Sequence, residues 1–96
     1  MNIIVESLGN STLLKVEGRL DTVTAPDLEN TINGLNTNGI ELDFSNLEYI
    51  SSAGLRVLLS SHKKFAKLDG MKVKNVKEAV MEIFEITGFA DILVIE

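Results

Sequence analysis

Apolar residues recur along this chain with two periods, and the alternation between them outlines its elements. Residues 3–5 and 12–16 are short, apolar and β-branched, with Gly9 and Asn10 between them, which predicts an opening hairpin. Residues 18–24 read as a polar loop. Leu28, Ile32 and Leu35 then fall at i, i+4 and i+7, with Ala25 one turn earlier, so a helix follows. Thr24 can cap it, Asp27 three residues on completes a capping-box-like start, and Pro26 is tolerated because it lies in the first turn. Gly34, Asn36, Asn38 and Gly39 end that helix. Ile40, Leu42 and Phe44 alternate with Glu41 and Asp43, a strand period. After a loop over 45–51, a second helix carries Leu55, Leu58, Leu59, Phe65 and Ala66 on one stripe and stops at Asp69 and Gly70. Met71 and Val73 alternate with Lys72 and Lys74 in another strand. Asn75, with Glu78 three residues later, opens a third helix whose stripe is Val76, Val80, Ile83, Phe84 and Thr87, and Gly88 closes it. Residues 92–95 form a last strand without polar alternation, which predicts that it is well covered.

The expected order is therefore ββαβαβαβ. Strands alternating with helices are parallel, joined by right-handed crossovers, whereas the first two strands are antiparallel. This is an α/β class fold with a mixed sheet, and residues 1–96 make a single domain. The 45% hydrophobic and 24% charged content is ordinary for a globular chain. There is no cysteine, which excludes disulfides, zinc thiolates and thiol catalysis. The N-terminus lacks the basic and apolar regions of a signal peptide, and no apolar run nears the roughly 18 residues of a membrane span. A cytoplasmic protein with no membrane partner is expected. The net charge of −5 also argues against nucleic acid, whose affinity comes from cations neutralising phosphates. Arg56, Lys63, Lys64, Lys67, Lys72, Lys74 and Lys77 read as solvated faces.

In such folds, loops at the carboxyl ends of parallel strands meet helix N-termini and carry function. Residues 18–24, residues 45–52 and the turn at Asn75 land on that edge, gathering Asp21, Thr22, Thr24, Asp43, Ser51, Ser52 and Asn75. Ser52 opens the second helix, where serine is a favoured cap. The same position suits a phosphorylation switch. A phosphate adds about −1.5 to −2 charges, which the helix N-terminus can accommodate and a docked partner cannot. Val57 lies about 200° from Leu55 around the helix, so it is expected to be exposed beside Arg56, Ser60 and Lys64, as a partner contact. Enzymatic readings fail on spacing. No glycine precedes Ser52 by two, and there is no P-loop or dinucleotide pattern. The only histidine, His62, is ten residues along the same helix, about 15 Å away, and falls on the apolar stripe. Asp21 and Asp43 are two carboxylates at most, read as capping or solvated acids rather than a metal site. No cofactor is expected.

The run from Leu42 through Leu59, Leu-Asp-Phe-Ser-Asn-Leu-Glu-Tyr-Ile-Ser-Ser-Ala-Gly-Leu-Arg-Val-Leu-Leu, strongly resembles the signature of STAS domains, in particular the bacterial anti-sigma factor antagonists. Gly18-Arg19-Leu20-Asp21 with Thr24-Ala25-Pro26 is similar to their other conserved loop and helix start, and Phe84-Glu85-Ile86-Thr87-Gly88-Phe89 to the end of their third helix. The resemblance implies a non-catalytic, cytoplasmic regulator of transcription. Unphosphorylated, it binds an anti-sigma factor serine kinase and frees a sigma factor. Phosphorylated by that kinase it lets go, and a serine phosphatase resets it. By motif, the acceptor falls on Ser52, two residues before Gly54, with Ser51 the alternative. Asp21 matches an acidic position of the partner-binding surface, for which Thr22, Thr24, Asp43, Ser51, Ser52, Gly54, Arg56 and Val57 are the further candidates. Many antagonists carry an aspartate before the acceptor and a hydroxyl residue after it, where this chain has Ser51 and Ala53. A STAS-type docking subunit of a transporter or signalling complex, never phosphorylated, is the alternative.

Overall fold

The computed structural model describes all of residues 1–96. Strand β1 (Asn2–Ser7) and strand β2 (Ser11–Leu20) form the expected antiparallel hairpin, with Gly9 in the left-handed region at φ +87°. Helix α1 (Ala25–Asn33), β3 (Gly39–Asp43), β4 (Leu47–Ile50), α2 (Ser52–Ala66), β5 (Gly70–Lys74), α3 (Glu78–Thr87), a 3-10 turn at Phe89–Asp91 and β6 (Val94–Ile95) follow. The strand order is β1-β2-β3-β5-β6, with β4 beside the far half of β2. All pairings after the hairpin are parallel. The α/β class and the mixed sheet are as the sequence predicts.

The sheet is two-faced. Leu14, Val16, Ile40, Leu42, Met71 and Val73 share one face through the strand register and are buried there with Phe44, Phe65 and Phe84 in a cluster of 20 apolar residues. The opposite face carries an alternating set of charges. Lys15 pairs with Glu6 at 3.6 Å, Lys74 with Glu41 at 3.2 Å and Lys72 with Glu96 at 3.7 Å. No helix is long and apolar enough to cross a membrane.

Three details differ from the sequence reading. First, β2 runs on through residues expected in a loop. Gly18, at φ +96°, makes an irregularity between Gly18 and Arg19, and past it β2 exchanges β3 for β4 as its neighbour. Second, β4 lies inside the segment read as a loop. Its apolar residues, Leu47 and Ile50, are buried three apart with Glu48 and Tyr49 exposed, so it lacks an alternating signature. Third, the last strand is only Val94–Ile95 and forms a sheet edge; Ile92 and Val94 are exposed and Leu93 alone is buried. Phe89–Asp91 turns the chain first, which shortens the strand.

Candidate functional site

The parallel pairing of β2 with β4 builds the site. Arg19 stands opposite Tyr49 and Leu20 opposite Ile50, so the loop leaving β2 and the loop leaving β4 emerge side by side. The Ser51 N–H donates to the Leu20 carbonyl at 2.9 Å, tying the second loop to the first. Arg19 lies over the Tyr49 ring, 4.3 Å from its centroid.

The first loop is closed by its own polar groups. Asp21 Oδ1 accepts the N–H groups of Val23 at 3.0 Å and Thr24 at 3.1 Å. The Thr24 hydroxyl accepts the Asp21 N–H at 2.8 Å and donates to the Arg19 carbonyl at 2.8 Å. This is a reciprocal box with Asp21 as the cap, three residues earlier than the Thr24–Asp27 box read from the sequence; Thr24 makes no side-chain cap bond to α1. The Thr24 N–H bond, chiefly, holds the Asp21 carboxyl below its ordinary value. Burial opposes this, while the Val23 N–H, the Thr24 hydroxyl and Arg19 add to it. Thr22 and Val23 are left exposed at the loop tip, Val23 at 83%.

The start of α2 separates two serines that the sequence could not. Ser51 is the cap, its Oγ accepting the Gly54 N–H at 3.4 Å, and Ser52 is the first helical residue, exposed. The cap expected at Ser52 thus sits one residue earlier. Gly54 is buried, and a β-carbon there would stand 2.8 Å from both Ile50 Cγ1 and Leu20 Cγ. Its lack of a side chain lets α2 descend onto the ends of β2 and β4.

Val57 is also buried, only 6% exposed, against the expectation of an exposed contact. The helical wheel places it away from the sheet, but α1 lies alongside α2 and covers that flank. Between the two helices runs a shallow groove of about 340 Å³, lined by Thr22, Ala25, Pro26 and Glu29 on one side. Ala53, Arg56, Val57 and Ser60 line the other. Pro26, Glu29 and Ala53 were not among the sequence candidates, because which flank of α1 faces α2 is a tertiary matter.

Asp43 stands apart. The register puts it beside Lys15 and Lys74 on the charged face of the sheet. Its Oδ1 accepts the Ser45 N–H at 2.9 Å and the Asn75 amide at 3.2 Å. Burial is the largest influence on its carboxyl and pushes it up. The Ser45 backbone and side chain, the Asn75 amide and Lys15 together outweigh burial and hold it below the ordinary value. Asn75, at φ 58°, turns the chain rather than capping α3, which starts at Glu78 after Lys77. His62 is half-buried with Nδ1 unpartnered, on the apolar side of α2 as read. No three acidic or histidine side chains gather as metal ligands.

A hairpin leading into parallel strands, helices on one face, and a serine opening the second helix beside a loop-borne aspartate together define a STAS domain. The STAS domain family model matches residues 2–96, and the chain belongs to that family. It is 30% identical over 96 residues to the anti-sigma-B factor antagonist of Bacillus subtilis, covering 97% of this chain and 88% of that protein. An anti-sigma factor antagonist from Mycobacterium paratuberculosis superposes with a TM-score of 0.88 at 27% identity, over 98% of this chain and 83% of its own. The Bacillus cell fate determinant SpoIIAA in its phosphorylated form shares the fold, with a TM-score of 0.76 at 15% identity over 99% and 91% of the two chains.

Proposed function

We propose that this chain is an anti-sigma factor antagonist of the cytoplasm. It docks an anti-sigma factor serine kinase on the edge formed by residues 21–24, the start of α2 and the groove between the helices. The observation that carries this reading is the division of labour between the two serines. Ser51 caps the helix, and Ser52 is exposed as its first residue, next in the chain to Ala53, which lines the groove. The kinase moves the γ-phosphoryl group of ATP to Ser52: the Oγ–P bond forms, the bond to ADP breaks, and a base of the kinase takes the hydroxyl proton. The added charge faces the docked partner and ends the complex. A serine phosphatase restores the hydroxyl with water. This chain supplies a surface and an acceptor but no catalytic group.

Incubation with the candidate kinase and ATP tests this, followed by intact-mass measurement, peptide mapping and calorimetric binding. The expected outcome is one phosphate on Ser52 and loss of measurable affinity. A phosphate on Ser51 would move the switch into the cap itself. Ser51 and Ala53, flanking the acceptor where many antagonists carry an acid and a hydroxyl, favour a second reading, a docking subunit that is never phosphorylated. No phosphate from a demonstrably active kinase, with binding retained, would select it.

A further inference from the structure

Arg56 follows Ser52 by four residues on α2, and both are exposed. Side chains so spaced are neighbours on a helix, about 5–6 Å apart at Cβ. Helical side chains also lean toward the N-terminus, so the long Arg56 side chain reaches back over the first turn. The chain's other arginine is already engaged, with Arg19 Nε 3.9 Å from Asp21 Oδ2 and its guanidinium on Tyr49. Arg56 takes part in none of the five ion pairs, although Glu29 lines the same groove. It is also the only cation among the groove's lining residues.

Resting on the reading that Ser52 is phosphorylated, we propose that Arg56 captures the phosphate, its guanidinium forking onto two phosphate oxygens across one helical turn. Phosphorylation then changes the docking edge twice. It adds an anion at the start of α2, next in the chain to the groove-lining Ala53, and it withdraws the groove's one cation from any acidic group a partner presents. Arginine suits both states, being charged at every working pH and shaped for either a carboxylate or a phosphate. An acid placed N-terminal to a base at this spacing is also the favourable order on a helix.

The test needs no kinase, because phosphoserine can be installed at position 52 by genetic-code expansion. The second ionisation of the phosphate, ordinarily near 6, is followed by 31P NMR in the Arg56 protein and in Arg56→Gln and Arg56→Lys. It should be lower with Arg56 than with Gln by about 0.3 unit or more, with Lys between. The Arg56 Nε–H resonance should shift when the phosphate is present. An unmoved Nε–H resonance, with equal ionisation in the Arg and Gln proteins, would overturn the capture and leave the helix backbone as sole host of the anion. Failure of a kinase to modify Ser52 would strike the proposed function instead, and would be seen by mass measurement.

Discussion

The starts of α1 and α2 lie side by side at one end of the sheet, yet they use their polar side chains in opposite ways. At α1, Asp21 and Thr24 bind each other and the loop backbone in a closed reciprocal set. At α2, Ser51 makes one long cap bond and Ser52 sits outside it. A loop whose aspartate and threonine bind back onto its own backbone holds its shape and presents its tip. A helix start with a spare hydroxyl offers chemistry without risking the fold. Adjacent, the two make an edge with one rigid part and one modifiable part.

The largest effect should come from breaking what holds the two starts together. Gly54→Val drives a branched side chain into Leu20 and Ile50, where even one β-carbon is too close. A loss of about 3 kcal/mol or more is expected in urea unfolding. A loss below about 1 kcal/mol would mean that α2 is not seated against β2 and β4 as described. Next comes the charge of Asp21. Its carboxyl titrates below its ordinary value of 3.8 in the folded chain, as does that of Asp43. A depressed carboxylate contributes stability that is present above the unfolded value and lost as pH falls through the folded one. Stability should therefore decline from about pH 4 downward. Asp21→Asn, which keeps an acceptor but no charge, should flatten part of that decline in denaturation series at pH 7 and pH 3. An unchanged acid limb would show that the closed loop draws nothing from the charge. The smallest effects sharpen the contrast between the serines. Ser51→Ala should cost about 0.5–1 kcal/mol, and Ser52→Ala less than that, by thermal unfolding under identical conditions. The reverse ranking would return the cap to Ser52 and put the proposed acceptor inside the cap.

Much of this arrangement is legible in the sequence, but unevenly. The alternation over Ile40–Phe44 and the stripes of the helices specify the elements, because their buried residues recur with one period. The short strand Leu47–Ile50 escapes that logic. Its two buried residues are three apart, and it pairs with β2 only at and beyond Gly18, where the strand's register shifts. The proposed switch region is legible in its motif and its place on the sheet edge, whereas the cap falls one residue earlier than read, because two serines in succession satisfy the same rule. Val57 departs from its expected exposure for a different reason. A helical wheel knows one neighbour, and α2 has two, the sheet and α1. Asp43 belongs by sequence to the site edge, but the register turns its side chain to the charged face.

The long strand β2 has one more consequence. Its first half is paired on both sides, and its second half runs into the loop that carries Asp21, locked by backbone hydrogen bonds to β4, which leads into Ser51. On the proposed reading, a partner docking on this edge meets a surface that is ordered before it arrives. Little conformational entropy remains to be lost on docking, so affinity need not come from a large buried area. For the partner exchange proposed above, that means complexes that form readily and that a single added charge is enough to dissolve.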